Sequence, residues 1–455
     1  MKRRTKSYEE SLDRWQRRAA GVYYTPTSIV EQMVQVVVGE GVDVDLSDKL
    51  LLDPCCGSGN FLVEALRVGF RAENIYGFDI DPKGVKIARQ RVAELSGYDV
   101  SKNIKVADFF DRAQTIKRRF DYVITNPPWG SSLDVKRRNI LGQIYGAGHS
   151  VDSSSLMMLA SLMVLREGGV LSFLLPEAFF NIGNFEDVRR VILGLRVTCL
   201  CDYAKPFRGL MTRAQAIVLR KESSTDEDVV RCRYDGHYHT RTIGSFKRNP
   251  KSIMNLWLTQ AEADVVEAIY KKPHVTLQGG ALWGMGIVTG NNKKYCSDHP
   301  HQGYIGVLRG YDLTEEGINA PTTFIPSDLS QYNQVAPKEF YLAPEKIIYR
   351  FITSRAIFRY DTERRYILNS VNGFIPNRDF PIPTKLVAEL LNSKVLNWLF
   401  RAIFHTHKVL RHDIETLPLH YELTEFNESN YLDYLGVEAT ELGSYKIVNV
   451  EQAGC

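Results

Sequence analysis

One stretch of the sequence decides the fold, LLDPCCGSGNF at residues 51–61. An apolar run ends in a carboxylate at Asp53, a turn with two glycines follows, and a helix is predicted to begin near Asn60. Glycine lets the backbone pass close to a ligand, and the first turn of a helix offers N–H groups to an anionic group such as a carboxylate or phosphate. A G-x-G after a strand is equally compatible with a bare tight turn, so the neighbouring segments have to decide between the two.

Short β-rich runs alternate with helical runs around this stretch. The predicted strands are 49–53, 74–79, 104–108, 122–126, 170–175, 197–202 and 216–220. Thr25-Pro26 predicts the start of a helix before the first strand, and Asp81-Pro82 predicts the start of another after the second. This strand–helix–strand rhythm predicts an α/β fold, an open and mainly parallel sheet with helices on both sides.

Four consecutive predicted strands end at a polar residue, namely Asp53, Asp79, Asp108 and Asn126. Open α/β sheets bind ligands at this carboxyl edge, and a carboxylate about twenty positions after the glycine turn holds ribose hydroxyls. Phe109, next to Asp108, adds an aromatic plane that suits a purine. A single acidic strand end could merely cap a turn, but four in series favour a site for a nucleoside cofactor.

The fourth strand leads into Asn126-Pro127-Pro128-Trp129. Two prolines fix the backbone and donate no N–H, so the Asn126 side-chain oxygen and the Pro127 carbonyl can both accept from one substrate –NH₂ group. An aromatic amine held in this way keeps its lone pair available for direct methyl transfer. Trp129 offers a stacking surface for an extruded base. An isolated Asn-Pro-Pro would instead indicate a rigid turn beside a buried tryptophan.

The composition restricts the class of protein. A chain of 455 residues with 44% hydrophobic and 24% charged positions predicts two globular domains, and it excludes a collagen-like, disordered or small disulfide-bonded protein. Seven cysteines without metal-ligand spacing predict no metal site and a reducing cytoplasm. No apolar run reaches the ~18 residues that a membrane span needs. The net charge of +4 is compatible with a polyanionic partner, because the last 35 positions are acidic and the remainder is more basic.

These motifs, in this order, resemble the gamma-class N6-adenine DNA methyltransferases of restriction–modification systems, which are TaqI-like in architecture. The resemblance begins with GVYYTP at 21–26 and continues through the glycine turn, the acidic strand ends and Asn-Pro-Pro-Trp to GGVLSFLLP at 168–176. It implies a Rossmann-like class I S-adenosylmethionine-dependent methyltransferase domain followed by a C-terminal α+β target-recognition domain. The implied ranges are a basic arm at 1–20, the catalytic domain at 21–225, the recognition domain at 226–420 and an acidic tail at 421–455.

The resemblance also implies the site residues. S-adenosyl-L-methionine is the implied cofactor, and its expected contacts are Tyr24, Thr25, Asp53, Cys55, Gly57, Gly59, Asp79, Ile80, Asp108, Phe109 and Asn126. Asn126, Pro127, Pro128 and Trp129 are the expected catalytic group. Phe185, nine positions after the proline that ends strand five, is expected to hold the extruded adenine against Trp129, although phenylalanine at a helix start is more often core. Many family members have tyrosine where this chain has Trp129, and Cys55-Cys56 occupy variable positions.

Basic residues outside the cofactor site are candidates for DNA contacts. The segment 131–155 reads either as a mobile basic loop that closes on phosphates or as an ordinary solvated connection. Segments around 286–294, 307–313 and 346–369 resemble parts of the family's recognition domain. The expected DNA-binding residues are Lys136, Arg137, Arg138, Lys293, Lys294, Arg309 and Arg355, with Arg350 and Arg359 as further cations.

The sequence therefore predicts a cytoplasmic enzyme that transfers methyl from S-adenosyl-L-methionine to N6 of a flipped adenine in double-stranded DNA. Two alternatives remain open at this point, a cytosine-N4 methyltransferase and a non-catalytic DNA-recognition subunit of a modification complex. The chain contains no Glu-x-Lys nuclease signature, which leaves a separate cognate restriction endonuclease as a candidate partner.

Overall fold

The computed structural model describes residues 25–39, 45–116, 119–130, 133–207, 210–352, 355–406 and 408–448. It divides into two units, Met1–Gln260 and Ala261–Cys455. The expected basic arm at 1–20, Tyr24 and the last residues of the expected acidic tail lie outside the described residues. Among the helices of the described ranges, none is both long enough and apolar enough to span a bilayer.

A nine-stranded sheet forms the centre of the first unit, in the order β3-β2-β1-β4-β5-β7-β6-β8-β9. Its strands are β1 (Leu51–Asp53), β2 (Ile75–Asp79), β3 (Ile104–Val106), β4 (Phe120–Thr125), β5 (Leu165–Pro176), β6 (Leu195–Asp202), β7 (Ala214–Ser223), β8 (Val229–Tyr234) and β9 (His237–Thr242). Neighbouring strands from β3 to β5 are parallel, whereas β7 runs antiparallel to both β5 and β6. The predicted α/β fold with a mainly parallel sheet is confirmed.

The helices of the first unit connect these strands. They are α1 (Thr27–Val38), α2 (Asn60–Arg67), α3 (Pro82–Ser96), α4 (Phe109–Ala113), α5 (Val135–Tyr145), α6 (Ser153–Val164), α7 (Ala178–Asn181), α8 (Glu186–Leu193) and α9 (Ile243–Lys247). Short 3-10 turns lie at Ala72–Asn74, Gly183–Phe185 and Pro250–Ser252. Asp81 caps α3 as the sequence predicts, since its carboxylate accepts from the backbone N–H groups of Lys83 and Gly84.

Alternating strand residues build two hydrophobic cores, one on each face of the sheet. Leu52 and Val123 pack in one core with α6, while Leu51 and Ile124 pack in the other with α1, α2 and α3. Because successive side chains of a strand point to opposite faces, a strand buried on both faces has to be apolar throughout. In β1, accordingly, the two apolar residues precede the polar Asp53, which is the last residue of the strand.

The first unit extends further along the chain than the expected boundary at 225. The polar segment 222–228 connects β7 to β8, and β8 pairs parallel with β6 before β9 returns antiparallel to it. The two strands thereby add to the same sheet, and the division falls after Gln260. A Ser-Ser-Thr stretch is typical of both a hinge and a surface loop, so composition alone could not separate the two.

The second unit is α+β. Its strands are β10 (Ala281–Met285), β11 (Tyr304–Leu308), β12 (Thr323–Pro326), β13 (Lys346–Arg350), β14 (Phe358–Asp361), β15 (Tyr366–Ile367), β16 (Val371–Pro376), β17 (Val437–Ala439) and β18 (Tyr445–Ile447). They pair as β10-β16-β13-β14, β12-β11-β15 and β17-β18. The helices are α10 (Gln260–Lys271), α11 (Asn292–Tyr295), α12 (Lys338–Tyr341), α13 (Thr384–Asn392), α14 (Lys394–Phe404), α15 (Arg411–Ile414) and α16 (Glu428–Leu435), with 3-10 turns at Gly310–Asp312 and Leu329–Gln331.

Two features of the second unit differ from the sequence prediction. The apolar stripe Val387, Leu391, Val395, Trp398 and Ala402 predicts one helix from about Thr384, but the segment forms two helices, because Ser393 ends α13 and its hydroxyl caps α14 by accepting from Leu396 N. The described part of the acidic tail is folded as α16 and the β17–β18 hairpin, with Tyr431 and Leu435 buried. The acidic composition of the tail did not indicate this helix, because only two large residues, Tyr431 and Leu435, form its buried face.

Candidate active site

A cavity of about 180 Å³ lies at the carboxyl edge of the parallel strands. Asp53, Asp79 and Asn126, at the ends of β1, β2 and β4, line it together with Asp108, which follows β3. The other lining residues are Thr25, Pro54, Cys55, Cys56, Gly57, Ser58, Asn60, Phe61, Ile80, Ala107, Phe109, Phe110, Pro128, Leu133 and Met157. The structure thus brings the four polar strand ends of the sequence prediction into one wall.

The glycine-rich turn is held against β2. Gly57 N donates to Asp79 Oδ2 at 2.8 Å, and Asp81 N donates to Asp79 Oδ1 at 2.9 Å, so two backbone donors fix the Asp79 carboxylate. Gly59 does not line the cavity: it has φ +82° at the start of α2, and a Cβ atom there would lie 2.9 Å from Ala88 Cβ. Gly59 is therefore required for close contact between α2 and α3.

Asp53 is buried at the centre of this wall, with 1% of its surface exposed. Its Oδ1 accepts from Thr125 Oγ1 at 2.7 Å and from Cys55 N at 3.1 Å. The pKa of Asp53 is raised to about 7, mainly by burial; the nearby Asp79 carboxylate acts in the same direction, and the hydrogen bonds from Thr125 and Cys55 act against it. Burial also raises the pKa of Asp79. The cavity therefore carries carboxylates that a cationic ligand would stabilise in their charged form.

Thr25, just before the first helix, contacts both the residue that follows the glycine turn and the Asn-Pro-Pro-Trp segment. Its carbonyl accepts from Asn60 Nδ2 at 3.2 Å, and its hydroxyl accepts from Asn126 Nδ2 at 3.1 Å. Arg91 supports Asn60 from α3, since it donates to Asn60 Oδ1 at 2.8 Å and to Ser58 O at 2.6 Å. The bond from Asn126 to Thr25 orients the carboxamide, with its nitrogen toward Thr25 and its oxygen on the opposite side.

The residues after β3 and β2 form a different part of the wall. Asp108 Oδ1 accepts from Phe110 N at 2.9 Å and so caps α4. Phe109 is only 2% exposed and stacks on Phe78 with ring centroids 6.1 Å apart, so most of its ring belongs to the core. Ile80, in contrast, is 73% exposed beside the cavity. Of these two apolar side chains, both expected to contact the cofactor, Ile80 offers more surface to a ligand.

The Asn-Pro-Pro-Trp segment is fixed on both sides. Pro128 O accepts from Ser153 Oγ at 3.3 Å, at the N-terminus of α6. Trp129 Nε1 donates to Leu174 O on β5 at 3.2 Å, and its half-buried ring packs edge-on against Phe207 at 5.0 Å. Neither Pro127 nor Trp129 lines the cavity.

Phe185 lies in a 3-10 turn that several side chains hold. The ring is half-buried and packs against Phe179 with ring centroids 5.2 Å apart, and Phe185 is not one of the residues that line the cavity. The Ser150 hydroxyl donates to Asn184 O at 2.9 Å and accepts from Val188 N at 3.3 Å, which brackets Phe185 on both sides. The structure therefore gives Phe185 a fixed position.

Arg189 holds the same segment from within the core. It is fully buried on α8 and donates to the carbonyls of Phe179 and Ile182 at 2.7 and 2.8 Å. It also donates to the carbonyls of Lys251 and Ser252 at 2.9 and 3.1 Å. Burial lowers the pKa of Arg189 to about 9. No pattern in the sequence indicates this role, because a lone arginine on a helix usually lies on the surface.

The basic segment after Trp129 is largely helical, which corrects the prediction of a loop or simple connection at 131–155. Lys136 is exposed on α5, and Arg138 is half-buried. Arg137 is paired with carboxylates: its guanidinium lies 2.6 Å from Asp108 Oδ2 and 3.3 Å from Asp111 Oδ1. Arg137 is thereby bound to Asp108, a residue of the cavity wall, although it does not itself line the cavity.

The basic residues expected to contact DNA in the second unit differ in their surroundings. Lys293 and Lys294 are exposed on α11, and Arg309 is half-buried after β11. Arg355 forms an ion pair of 2.8 Å with Glu315. The further cations Arg350 and Arg359 donate to the carbonyls of Leu313 and Thr314, so they serve the structure of this unit.

Sequence reasoning missed part of the site. Leu133 and Met157, which follow the Asn-Pro-Pro-Trp segment in the chain and line the cavity, carry no local signal, because apolar residues near a helix are ordinary core candidates. Asn60 was placed at a helix start, but its bond to Thr25 joins positions 35 residues apart in the sequence. A hydrogen bond between such distant segments is set by the fold and cannot be read from spacing.

Both units are similar to parts of known proteins. The profile of the N-6 DNA methylase family matches residues 5–259, and that of the TaqI-like C-terminal specificity domain matches residues 306–419. The Type II methyltransferase M.VspI of Vibrio sp. (strain 343) is 41% identical over 310 residues, which cover 68% of this chain and 74% of that protein. The Type II methyltransferase M.HincII of Haemophilus influenzae is 23% identical over 209 residues, covering 44% of this chain and 37% of that protein.

Solved structures agree with the fold. The Type IIL restriction–modification enzyme MmeI, in complex with DNA, superposes with a TM-score of 0.59 at 13% identity, covering 93% of this chain and 71% of that one. A DrdV–DNA complex gives a TM-score of 0.53 at 11% identity, covering 78% of this chain and 49% of that one. Because the N-6 DNA methylase profile covers more than half of the sequence and M.VspI is 41% identical over two thirds of it, the chain belongs to the N-6 DNA methylase family.

Proposed function

We propose that this chain transfers a methyl group from S-adenosyl-L-methionine to the exocyclic N6 of an adenine in duplex DNA, as the modification enzyme of a restriction–modification system. One observation carries the proposal: Asn126 of Asn-Pro-Pro-Trp lines the same cavity as Asp53, Asp79 and Asp108. A cofactor cavity and a group that recognises an amine are thereby joined at one sheet edge. Membership of the N-6 DNA methylase family and the similarity to M.VspI support the same reaction.

The residues of the cavity fit S-adenosyl-L-methionine. Three carboxylates in one cavity suit a ligand that carries a sulfonium and an ammonium group. Asp79, whose oxygens already accept from two backbone N–H groups, would hold the ribose hydroxyls, and Asp108 would accept from the purine amino group. Thr25 and the turn at 57–59 would hold the methionine portion. When bound, the cofactor supplies an electrophilic methyl group on sulfur.

Asn126 would recognise the adenine amine. Because its Nδ2 donates to Thr25 Oγ1, its side-chain oxygen faces away from Thr25 and can act as an acceptor with the Pro127 carbonyl. The two acceptors bind the two N–H hydrogens of the amine. They favour a geometry in which the nitrogen lone pair is no longer conjugated with the ring and can attack the methyl group. This arrangement contributes orientation and electrostatic stabilisation to the transition state.

The adenine would have to leave the helix to reach this group, since N6 is occupied in base pairing. Trp129 and Phe185 would stack on the two faces of the extruded base. Both rings are half-buried and held by neighbours, Trp129 by Leu174 O and Phe207, and Phe185 by the turn that Ser150 brackets. Rigid rings reduce the entropy lost when the base binds.

The test compares Asn126→Ala with Asn139→Ala, an exposed asparagine on α5. Transfer of tritium from labelled S-adenosyl-L-methionine to DNA is measured, and the modified base is identified by sequencing. We expect Asn126→Ala to lose roughly 10²- to 10³-fold in turnover, as for the loss of one transition-state hydrogen bond. Its dissociation constant for S-adenosyl-L-homocysteine should stay within about fivefold, since losing one neutral hydrogen bond costs about 1 kcal/mol. Asn139→Ala should match the wild type.

Other results would reject the assignment in different ways. Unchanged turnover of Asn126→Ala would remove Asn126 from the reaction. N4-methylcytosine in the sequenced DNA would identify the chain as a cytosine-N4 enzyme. DNA binding without any methylated base, in wild-type protein that binds the cofactor, would indicate a recognition subunit.

A further inference from the structure

The pocket carboxylate Asp108 is held by two partners. Its Oδ1 accepts from Phe110 N at 2.9 Å, and its Oδ2 accepts from Arg137 at 2.6 Å. Arg137 also lies 3.3 Å from Asp111 Oδ1, so one guanidinium binds two carboxylates. The Arg137 and Asp108 side chains are 37% and 28% exposed, which leaves this end of the cavity in contact with solvent.

A second contact ties α5 to the same place. Tyr145, at the end of α5, donates from its hydroxyl to Phe110 O at 2.8 Å. Leu133, just before α5, lines the cavity itself, and Asp134 caps the helix by accepting from Arg137 N. Both ends of α5 therefore contact the turn at 108–110 or the cavity beside it.

We propose that Arg137 is a positioning residue of the cofactor pocket, which orients the Asp108 carboxylate as the acceptor for the amino group of the cofactor's purine. The inference rests on the proposed function, because it assigns a role within the S-adenosyl-L-methionine site. It replaces the expected role of Arg137 as a DNA-phosphate contact. A guanidinium that is paired with both Asp108 and Asp111 has little net charge left to attract a phosphate.

The chemical consequence is selectivity at position 6 of the purine. A fixed carboxylate oxygen accepts from an amino group and repels a carbonyl oxygen, so the pocket should prefer adenosine over inosine derivatives. If Arg137 is lost, the carboxylate remains but its Oδ2 is no longer held. The preference for adenosine over inosine derivatives should then fall. The free energy of unfolding should change little, because a partly exposed ion pair contributes little to folding.

The experiment measures dissociation constants by calorimetry for S-adenosyl-L-homocysteine and for its deaminated analogue, S-inosyl-L-homocysteine. The wild-type chain should prefer the adenosine compound by roughly tenfold or more, a difference typical of a hydrogen bond to a charged group. Arg137→Gln should reduce the preference to about threefold, and Arg137→Lys should restore part of it. Asp108→Asn should abolish the preference, because a carboxamide has only one oxygen for the two donors Phe110 N and Arg137, and its –NH₂ cannot accept from the amino group of the purine.

The neighbouring exposed residue Lys136 provides the matched control. Lys136→Gln should keep the wild-type preference. The dependence of DNA affinity on salt is measured for the same variants, since each lost phosphate contact lowers the slope of log K against log salt by about 0.9. We expect Arg137→Gln to leave this slope unchanged.

The outcomes separate the two proposals. Failure of the wild-type chain to bind S-adenosyl-L-homocysteine would reject the proposed function. Loss of selectivity in Asp108→Asn with wild-type selectivity in Arg137→Gln would overturn the role of Arg137 while leaving the proposed function intact. A lower salt slope in Arg137→Gln, with selectivity unchanged, would return Arg137 to the DNA contacts.

Discussion

Replacing the buried carboxylate Asp53 by asparagine should change how the stability of the protein depends on pH. Burial raises the pKa of Asp53 from 3.8 to about 7 in the folded chain. A carboxyl group whose pKa is higher in the folded state favours folding most when it is protonated in both states. Its contribution is therefore complete below about pH 4 and is lost as the pH rises from about 4 to about 7.

The magnitude follows from the pKa values. A rise from 3.8 to about 7 costs about 4 kcal/mol of unfolding free energy at about pH 8, at about 1.4 kcal/mol for each pKa unit. The substituted carboxamide can still accept from Thr125 Oγ1 and Cys55 N, but it adds a buried –NH₂ group that costs about 1–3 kcal/mol where it lacks an acceptor. The electrostatic gain is larger at high pH, so we expect Asp53→Asn to be more stable there by about 1–3 kcal/mol. At about pH 4 both carboxyl and carboxamide are uncharged, so only the cost of the buried –NH₂ group remains and Asp53→Asn should be less stable than the wild type.

The assay is chemical unfolding of the full chain at about pH 4, 5.5, 7 and 8, with Asp99→Asn as the matched control. Asp99 is exposed, and hydrogen bonds with Ser101 lower its pKa, so its substitution should leave the pH dependence between about 5 and 8 unchanged. Parallel pH profiles for wild type and Asp53→Asn would refute the reasoning, since they would show that Asp53 does not titrate in this range.

Three further substitutions test other parts of the structure. Trp129→Ala should weaken binding of DNA that carries 2-aminopurine at the target by roughly 1–3 kcal/mol, and an unchanged fluorescence titration would exclude stacking on Trp129. Ser150→Ala removes the hydroxyl that brackets Phe185, so kcat should fall while the Kd for S-adenosyl-L-homocysteine is unchanged. If the Kd changed as well and the melting temperature fell, the substitution would have disturbed the fold of the domain and not only the position of Phe185. Lys346→Met removes the ammonium group that lies 2.5 Å from Asp361 in the core of the second unit and should cost about 3 kcal/mol in chemical unfolding. An unchanged midpoint would show that the other donors to this carboxylate, the Arg365 guanidinium and the backbone N–H groups of Glu363 and Arg365, are sufficient to stabilise it.

The sequence was informative where one physical rule acts over a short distance. Strands β1 to β4 were predicted because each is a short apolar run that ends in a polar residue. Strands β1, β2 and β4 lie inside the sheet and are packed on both faces, which favours apolar residues before the strand end, whereas β3 lies at the edge and buries only Ile104. The positions of Asp53, Asp79 and Asn126 in one cavity followed, since parallel neighbours end at the same edge.

The sequence did not determine contacts between residues that are distant in the chain. Arg137 and Asp108 are 29 positions apart, and the charge of Arg137 alone equally indicates a phosphate contact. Strands β8 and β9 lacked a local signal for the sheet they join, because polar segments such as 222–228 occur both at hinges and at surface loops. The break at Ser393 was hidden by an apolar stripe that continues across both helices.

The cavity at the sheet edge reduces the stability of the folded chain, and the proposed cofactor would offset this cost. Burial raises the pKa of both Asp53 and Asp79, which means that folding holds carboxylates where their charge is poorly solvated. A cation in the cavity would offset this cost, so its binding should favour the deprotonated carboxylates and release protons. The affinity for S-adenosyl-L-methionine should therefore rise between about pH 5.5 and 8 in the wild-type chain and change less in Asp53→Asn. If both proteins bound the cofactor with the same pH dependence, the Asp53 carboxylate would make no contribution to binding. The electrostatic attraction of the cavity for the cofactor would then come from Asp79 and Asp108.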